Sequence, residues 1–510
     1  MFFSSTGKSQ IYIPSKPVEL PLRKSTVGNG ENQTINLRQF VEERCPSLYK
    51  EFRAPWWLFN GHLQTLYCVI GDFTKTDKVV YNRTLIKTYD GGTLSLDFTP
   101  TNFSDAKEDT PIIVVMHGLT GGTGFRGSCA LPETDESNPG SYEQYVRSIL
   151  YPACSPVEKG GLGYRGVVVN FRGCAGTPIT SQQLYSAGYT DDIRTAVMYI
   201  QNKYPKAPLL GLGFSLGANV ITRYFAEEGE NNKMVAGCIL GCPWDLERNT
   251  DAMNETFVGK YIYSKGMASN LSRLLQLHVP ALTGASEPDP SVPPHHPSYK
   301  PDEAHGKLVA EATKTVISIS SPTLEHFDGI FTRVAGARPP IVPFKSARHY
   351  YEWARSDKTL PGVRRPLLAL NSGDDPVVQH VPWGDKEVCG EEGKDGYVIV
   401  VKTAGGGHLG WFTTFDDSIS RIKADDSENN ANPQISRWAT EPVLQWFRGM
   451  IEDVAYRVEA KRYYEDPEAP GWIREEGGKV DVAYYVVEEG EGHVVDGSQP
   501  RKEQGMLQGL

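Results

Sequence analysis

Six short apolar runs recur along the middle of the chain, and they restrict its fold more than any other feature. They are Ile112–Met116, Gly166–Val169, Leu209–Leu212, Val235–Leu240, Leu367–Leu370 and Tyr397–Val401. A strand with one wet face alternates apolar and polar residues, so unbroken runs of this length describe strands covered on both faces. Between and beside them, Tyr142–Tyr151, Asp191–Tyr204, Ala218–Glu228 and Ser346–Ala354 carry helical spacing of apolar positions. Strands that alternate with helices specify an α/β fold with a mostly parallel central sheet flanked by helices. A hairpin precedes them: Val79–Tyr89 and Thr93–Phe98 flank Asp90-Gly91-Gly92, with Leu94, Leu96 and Phe98 alternating.

The alternation breaks once, between Leu240 and Leu367. That interval holds the amphipathic stretch Met267–Leu277 and seven prolines between Pro280 and Pro301. A structureless loop of such length is uncommon in a compact domain, so the interval reads as an inserted cap. The expected division is an N-terminal extension packed on the core (1–75), a first core part (76–244), the cap (245–345), a second core part (346–462) and a peripheral acidic C-terminal tail (463–510). A long amphipathic helix is expected over Ile435–Arg462, and the aromatic patch Pro55-Trp56-Trp57-Leu58-Phe59 is expected to cap a core edge.

Chemistry concentrates in Gly211-Leu-Gly213-Phe214-Ser215-Leu216-Gly217-Ala218-Asn219. Gly-x-Ser-x-Gly alone is weak, since a chain this rich in glycine should contain it by chance about 0.3 times. Its setting is specific. It follows a strand run and precedes a helical one, as a nucleophile elbow requires, with the serine projecting from a turn that glycines allow to be sharp. Such a serine needs a base, and the base needs an orienting acid. Asn371-Ser-Gly373-Asp374-Asp375-Pro376-Val377-Val378 follows the strand run Leu367–Leu370; Asp375 is preferred as the acid because Val377 and Val378 can anchor its loop, which leaves Asp374 as a turn residue. His408, in the glycine loop after Tyr397–Val401, is the candidate base. Two backbone N–H groups should form the oxyanion hole, one from Leu216 and one from Leu119 in His117-Gly118-Leu119-Thr120-Gly121-Gly122. His117 is expected to support that loop by hydrogen bonding.

No cofactor or metal is called for. His295-His296 lacks Cys, Asp or Glu at ligand spacing, the eight cysteines form no C-x-x-C pair, and no Gly-Lys-Ser/Thr follows the Gly121–Gly124 stretch. The net charge of −10 argues against nucleic acid as a partner. With no signal peptide and no transmembrane run visible, an intracellular, cytoplasmic protein is expected, with peripheral contact to a membrane or lipid droplet left open and the oligomeric state undetermined.

Together with Asn60-Gly61-His62-Leu63-Gln64-Thr65, Asn170-Phe171-Arg172-Gly173-Cys174-Ala175-Gly176, Gly188-Tyr-Thr-Asp191-Asp192 and Phe327-Asp328-Gly-Ile-Phe331-Thr332, these segments resemble the AB hydrolase 4 family of α/β-hydrolases. That family takes in mammalian ABHD-type proteins, bacterial YheT-like hydrolases and yeast medium-chain fatty acid ethyl ester synthase/esterases. The resemblance spans about residues 50–450. It implies Ser215, Asp375 and His408 as a catalytic triad, and hydrolysis or alcoholysis of medium-chain acyl esters, with water or an alcohol as acceptor. Alternatives are a phospholipase or monoacylglycerol lipase, a specialised-metabolite acyltransferase, and a catalytically silent ligand-binding protein. Retention of all three residues argues against the last. The proline-rich insertion matches nothing in the family pattern.

Overall fold

The computed structural model describes residues 6–23, 33–71, 73, 76–102, 106–123, 144–287, 289–414, 436–456, 461–488 and 494–496. Its centre is a sheet of eight strands: β1 Val80–Thr88, β2 Thr93–Thr99, β3 Ile112–Met116, β4 Arg165–Asn170, β5 Leu209–Phe214, β6 Met234–Leu240, β7 Leu367–Ser372 and β8 Val398–Thr403. They lie in the order β1-β2-β4-β3-β5-β6-β7-β8. From β4 through β8 every pairing is parallel, while β1 with β2 and β2 with β4 are antiparallel. Each apolar run of the sequence is therefore a strand, and the reason it is unbroken is visible in the packing. Ile112, Val114 and Met116 of β3 enter one hydrophobic cluster, and Ile113 and Val115 enter the other on the opposite face.

Seven helices matter to the site: α1 Gly61–Ile70, α2 Gln144–Cys154, α3 Asp191–Lys203, α4 Leu216–Glu228, α5 Lys265–Leu277, α6 Ala347–Ala354 and α7 Thr440–Asp453. Residues of α3, α4 and α5 join the first cluster; residues of α2 and α7 join the second. The interval between β6 and β7 is mostly helical, from Leu246–Glu255 through α5 and Glu303–Ile317 to α6.

Both ends of the chain depart from expectation. The final helix covers Thr440–Asp453 rather than Ile435–Arg462, because Val454 turns extended and bridges to Leu22 while the Ala455 N–H donates to Pro21; pairing with the N-terminal segment ends a helix whose apolar spacing continues. Residues 435 and 457–460 of that expectation lie outside the described residues, as do the first two of Tyr142–Tyr151. The segment after Glu465 is not merely peripheral. Trp472–Glu475 and Tyr484–Glu488 extend the sheet beyond β1, and Gln10–Tyr12 extends it beyond β8, all antiparallel, so the sheet is mixed overall. In the aromatic patch Leu58 is buried, but Trp56 is 87% exposed, so the patch does not act as a whole as a cap on the core.

The proline-rich stretch ends in a clasp on the β1–β2 hairpin. His296 stacks on Tyr89, meets Trp472 edge-on and donates its backbone N–H to Tyr89 O at 3.0 Å. Arg172, in Asn170–Gly176, is buried between Asp90 of the hairpin turn and Asp192 of α3, at 2.6 Å from each. It acts as a strut under the hairpin.

Candidate active site

β5 ends at Phe214 and α4 begins at Leu216, so the single residue between them must reverse the chain. Ser215 does so with φ 48 and ψ −118, a conformation that side-chain-bearing residues rarely adopt. The flanking glycines are required by close approach. A methyl on Gly213 would lie 2.7 Å from Ala218 Cα, and one on Gly217 would lie 2.3 Å from the Met116 carbonyl oxygen. The Gly217 N–H donates to His117 O at 3.1 Å, which ties the elbow to the loop after β3.

Ser215 Oγ lies 2.8 Å from His408 Nε2, and His408 Nδ1 lies 2.8 Å from Asp375 Oδ2. The three are buried together. With an unprotonated Nε2 facing the serine, Nδ1–H donates to the carboxylate and Nε2 accepts from the hydroxyl. Asp375 Oδ1 accepts the backbone N–H groups of Val377 (2.7 Å) and Val378 (2.9 Å), which fixes the carboxylate. Its neighbour Asp374 does something else: its Oδ1 accepts from Ser372 Oγ (2.7 Å) and from Gly407 N–H (2.9 Å), so it braces the histidine's loop. The loop after β3 is set by His117, whose Nδ1 meets Gly118 O at 2.8 Å while Nε2 accepts from Phe171 N–H. The N–H groups of Leu119 and Leu216 have no protein acceptor among the described residues.

Residues to which the sequence had attached no role complete the site. α1 starts against the acid loop, where a methyl on Gly61 would sit 1.8 Å from Asp374 O. From its next turn Thr65 Oγ1 accepts the His408 N–H at 2.8 Å, and the Gln64 side chain pairs with both backbone groups of Phe412. Arg437 donates to the carbonyls of Leu409 and Gly410, and it stacks on Phe412 at 4.3 Å; Leu409 and Trp411 have φ of 60 and 45. The guanidinium thus holds a backbone that would otherwise relax. Gly241 lies beneath the imidazole: a methyl there would come within 3.3 Å of His408 Cε1. Asn60–Thr65 was visible as a matching segment; Gly241 and Arg437 carried no signal.

His380, which also has an aspartate nearby in sequence, takes no part in this site. His380 contacts Arg248, while Asp385, at His-x4-Asp spacing from it, holds Tyr12. Among the described residues no group of three or more His, Cys, Asp or Glu could hold a metal ion, and no helix is long and apolar enough to cross a membrane.

The family profile described as alpha/beta hydrolase fold matches residues 111–413. Among curated proteins, the chain is 28% identical to a monoacylglycerol lipase of Saccharomyces cerevisiae, covering 87% of this chain and 91% of that one. It is 30% identical to an abhydrolase domain-containing protein of Dictyostelium discoideum, over 76% and 83% of the two chains. It is 26% identical to medium-chain fatty acid ethyl ester synthase/esterase 2 of Saccharomyces cerevisiae, over 81% and 90%.

Proposed function

The chain belongs to the alpha/beta hydrolase fold family, and from that premise we propose that it is a serine ester hydrolase and acyltransferase acting on medium-chain acyl esters. The family and the names of its relatives support a carboxylic-ester hydrolase of the esterase or lipase type. The observation that carries the serine mechanism in this reading is the unbroken line Ser215–His408–Asp375 on a strained elbow; the medium-chain part rests on the resemblance to relatives of that name.

In this reading Ser215 Oγ attacks the ester carbonyl as its proton passes to His408 Nε2. The tetrahedral oxyanion is received by the N–H groups of Leu119 and Leu216. Collapse expels the alcohol, which takes the proton from His408, and leaves an acyl-enzyme. Water or a second alcohol then gives its proton to His408 and attacks the acyl carbon. This second intermediate collapses as His408 returns the proton to Ser215 Oγ, which releases the acid or the new ester and restores the serine.

The insertion between β6 and β7 serves as the cap. In α5, Met267, Leu271, Leu274 and Leu275 are buried in the core cluster, which favours a packing role for them, while Leu277 is 49% exposed. Burying each methylene contributes about 0.8 kcal/mol, so an acyl chain held by an apolar pocket gains with length. A fluorophosphonate probe should label Ser215, and kcat/KM on p-nitrophenyl esters should rise from acetyl to hexanoyl or octanoyl, with ethyl esters appearing when ethanol is supplied. Absence of labelling would remove the enzyme reading in favour of a silent binding protein. A flat chain-length profile would remove the medium-chain reading.

A further inference from the structure

Two apolar strips that the catalytic line does not use meet beside the acid loop. One is α1, whose outer face carries His62, Leu66 and Ile70 at four-residue spacing, all exposed, next to Trp56 and Trp57; the Trp57 ring sits 4.8 Å from Tyr67. The other is the start of the β6–β7 insertion, where Phe257 (74% exposed), Tyr261 and Ile262 face solvent and the Phe257 and Tyr261 rings lie 4.8 Å apart. They are joined where His62 stacks on Tyr263, with Nδ1 at 2.8 Å from the phenol oxygen. That joint is close to the site: Gly61 abuts Asp374, and the charge of Asp375 helps raise the Tyr263 phenol, though burial is the larger cause.

Neither strip shares the acidity of the molecule, and the second is basic. The chain has 62 acidic residues and a net charge of −10, yet neither 52–71 nor 256–286 contains one. The second strip carries Lys260, Lys265 and Arg273, none in an ion pair among the described residues, and both lysines lie over the Tyr261 ring, at 5.8 and 4.8 Å. Aromatic side chains with lysines whose stems lie along apolar surface are the composition that settles into a lipid headgroup layer, where the bases meet anionic headgroups.

We infer that this acid-free rim docks the protein on an anionic phospholipid surface, which places the acyl ester of a lipid beside Ser215. The purpose of the docking rests on the ester-hydrolase reading; the docking itself does not. Protein docked in this way would float with vesicles of phosphatidylcholine plus phosphatidylserine, and less with phosphatidylcholine alone. The full-length variants Trp56→Ser/Phe257→Ser should lose about tenfold in vesicle-bound fraction. Lys260→Glu/Lys265→Glu should lose at least about fivefold per charge, selectively on the anionic vesicles. Both should keep kcat/KM on a soluble p-nitrophenyl ester. Failure of the unmutated protein to bind either vesicle, or equal binding by the variants, overturns the inference. So does a shift of the variants from dimer to monomer in gel filtration without loss of vesicle binding, which would make the rim a protein interface. Vesicle binding by a protein that shows no ester turnover would uphold the docking and reject the hydrolase reading.

Discussion

Two histidines in this molecule each stand between a serine hydroxyl and an aspartate carboxylate. His408 has Ser215 on Nε2 and Asp375 on Nδ1, both at 2.8 Å; His296 has Ser298 Oγ on Nδ1 at 2.8 Å and Asp466 on Nε2 at 3.2 Å. By distances alone the two resemble each other. Their surroundings differ in two ways. Ser298 is two residues from its histidine on an exposed loop, and its own backbone N–H also donates to that Nδ1, so the hydroxyl closes a local turn. Ser215 is instead held up by a strained elbow between β5 and α4, 193 residues from its histidine in sequence. Arg474 binds Asp466 at 2.6 Å and reaches the His296 ring, whereas among the described residues no lysine or arginine forms an ion pair with Asp375. Burial first, and then the Arg474 charge, depress the His296 pKa. For a serine–histidine–aspartate contact to work as a catalytic triad, the acid's charge must be kept to stabilise the imidazolium and the hydroxyl must be presented away from its own chain. The clasp at His296 spends both on holding the proline-rich stretch to the hairpin and the C-terminal strands.

The sharpest way to break this contrast is to remove each hydroxyl. Ser215→Ala should lower ester turnover by roughly 10⁶ with the fold intact, while Ser298→Ala should leave kcat within about twofold. A large loss in the second variant would erase the distinction. Removing each carboxylate charge comes next. Asp375→Asn should lower kcat by roughly 10⁴ through the wrong imidazole tautomer, and Asp466→Asn should lower the melting temperature without changing kcat. If Asp374→Asn gave the larger catalytic loss, the orienting role would belong to Asp374. Residues that only aim His408 should cost less. Gly241→Ala and Arg437→Lys should each lower kcat by about 10², with KM little changed, because they misplace the imidazole and not the substrate; an unchanged kcat would make both merely structural. The smallest effect concerns pH. A folded state that disfavours protonated His296 is stable above the histidine's ordinary pKa of 6.5 and loses stability as pH falls through it, since the unfolded chain then binds the proton more readily. The difference in melting temperature between the unmutated protein and His296→Gln should therefore shrink on acidification from pH 7.5 to pH 5.5, a range spanning that pKa by about one unit on either side.

How much of this was legible in the sequence depends on the range of the interaction. Strands buried on both faces announce themselves as apolar runs, and the elbow announces itself because Gly213, Ser215 and Gly217 are contiguous. The preference for Asp375 over Asp374 rests on Val377 and Val378 just beyond it, whose backbone N–H groups do bond its carboxylate. Gly241 and Arg437 act on His408 or its loop through backbone groups and through the absence of a side chain, and such roles leave no local pattern; Thr65, 343 residues from His408, stands out only as part of a matching segment, without its role. The end of α7 is hidden for a related reason: apolar spacing continues past Asp453, but Val454 bridges to Leu22, more than 400 residues upstream. Trp56 departs in the opposite direction, since an aromatic cluster is usually core and this ring is 87% exposed.

The strands that extend the sheet at its two edges have a consequence for how the chain is made. Gln10–Tyr12 leaves the ribosome well before its partner β8, which begins only at Val398. At roughly 5–20 residues per second, the N-terminal strand waits on the order of 20–80 s for the neighbour it must join. β1 waits as long for Tyr484–Glu488. Throughout synthesis the nascent sheet has two open edges, each able to pair with another chain, so recombinant yield should respond to slower translation and to chaperones that cover extended segments more than to changes in the core.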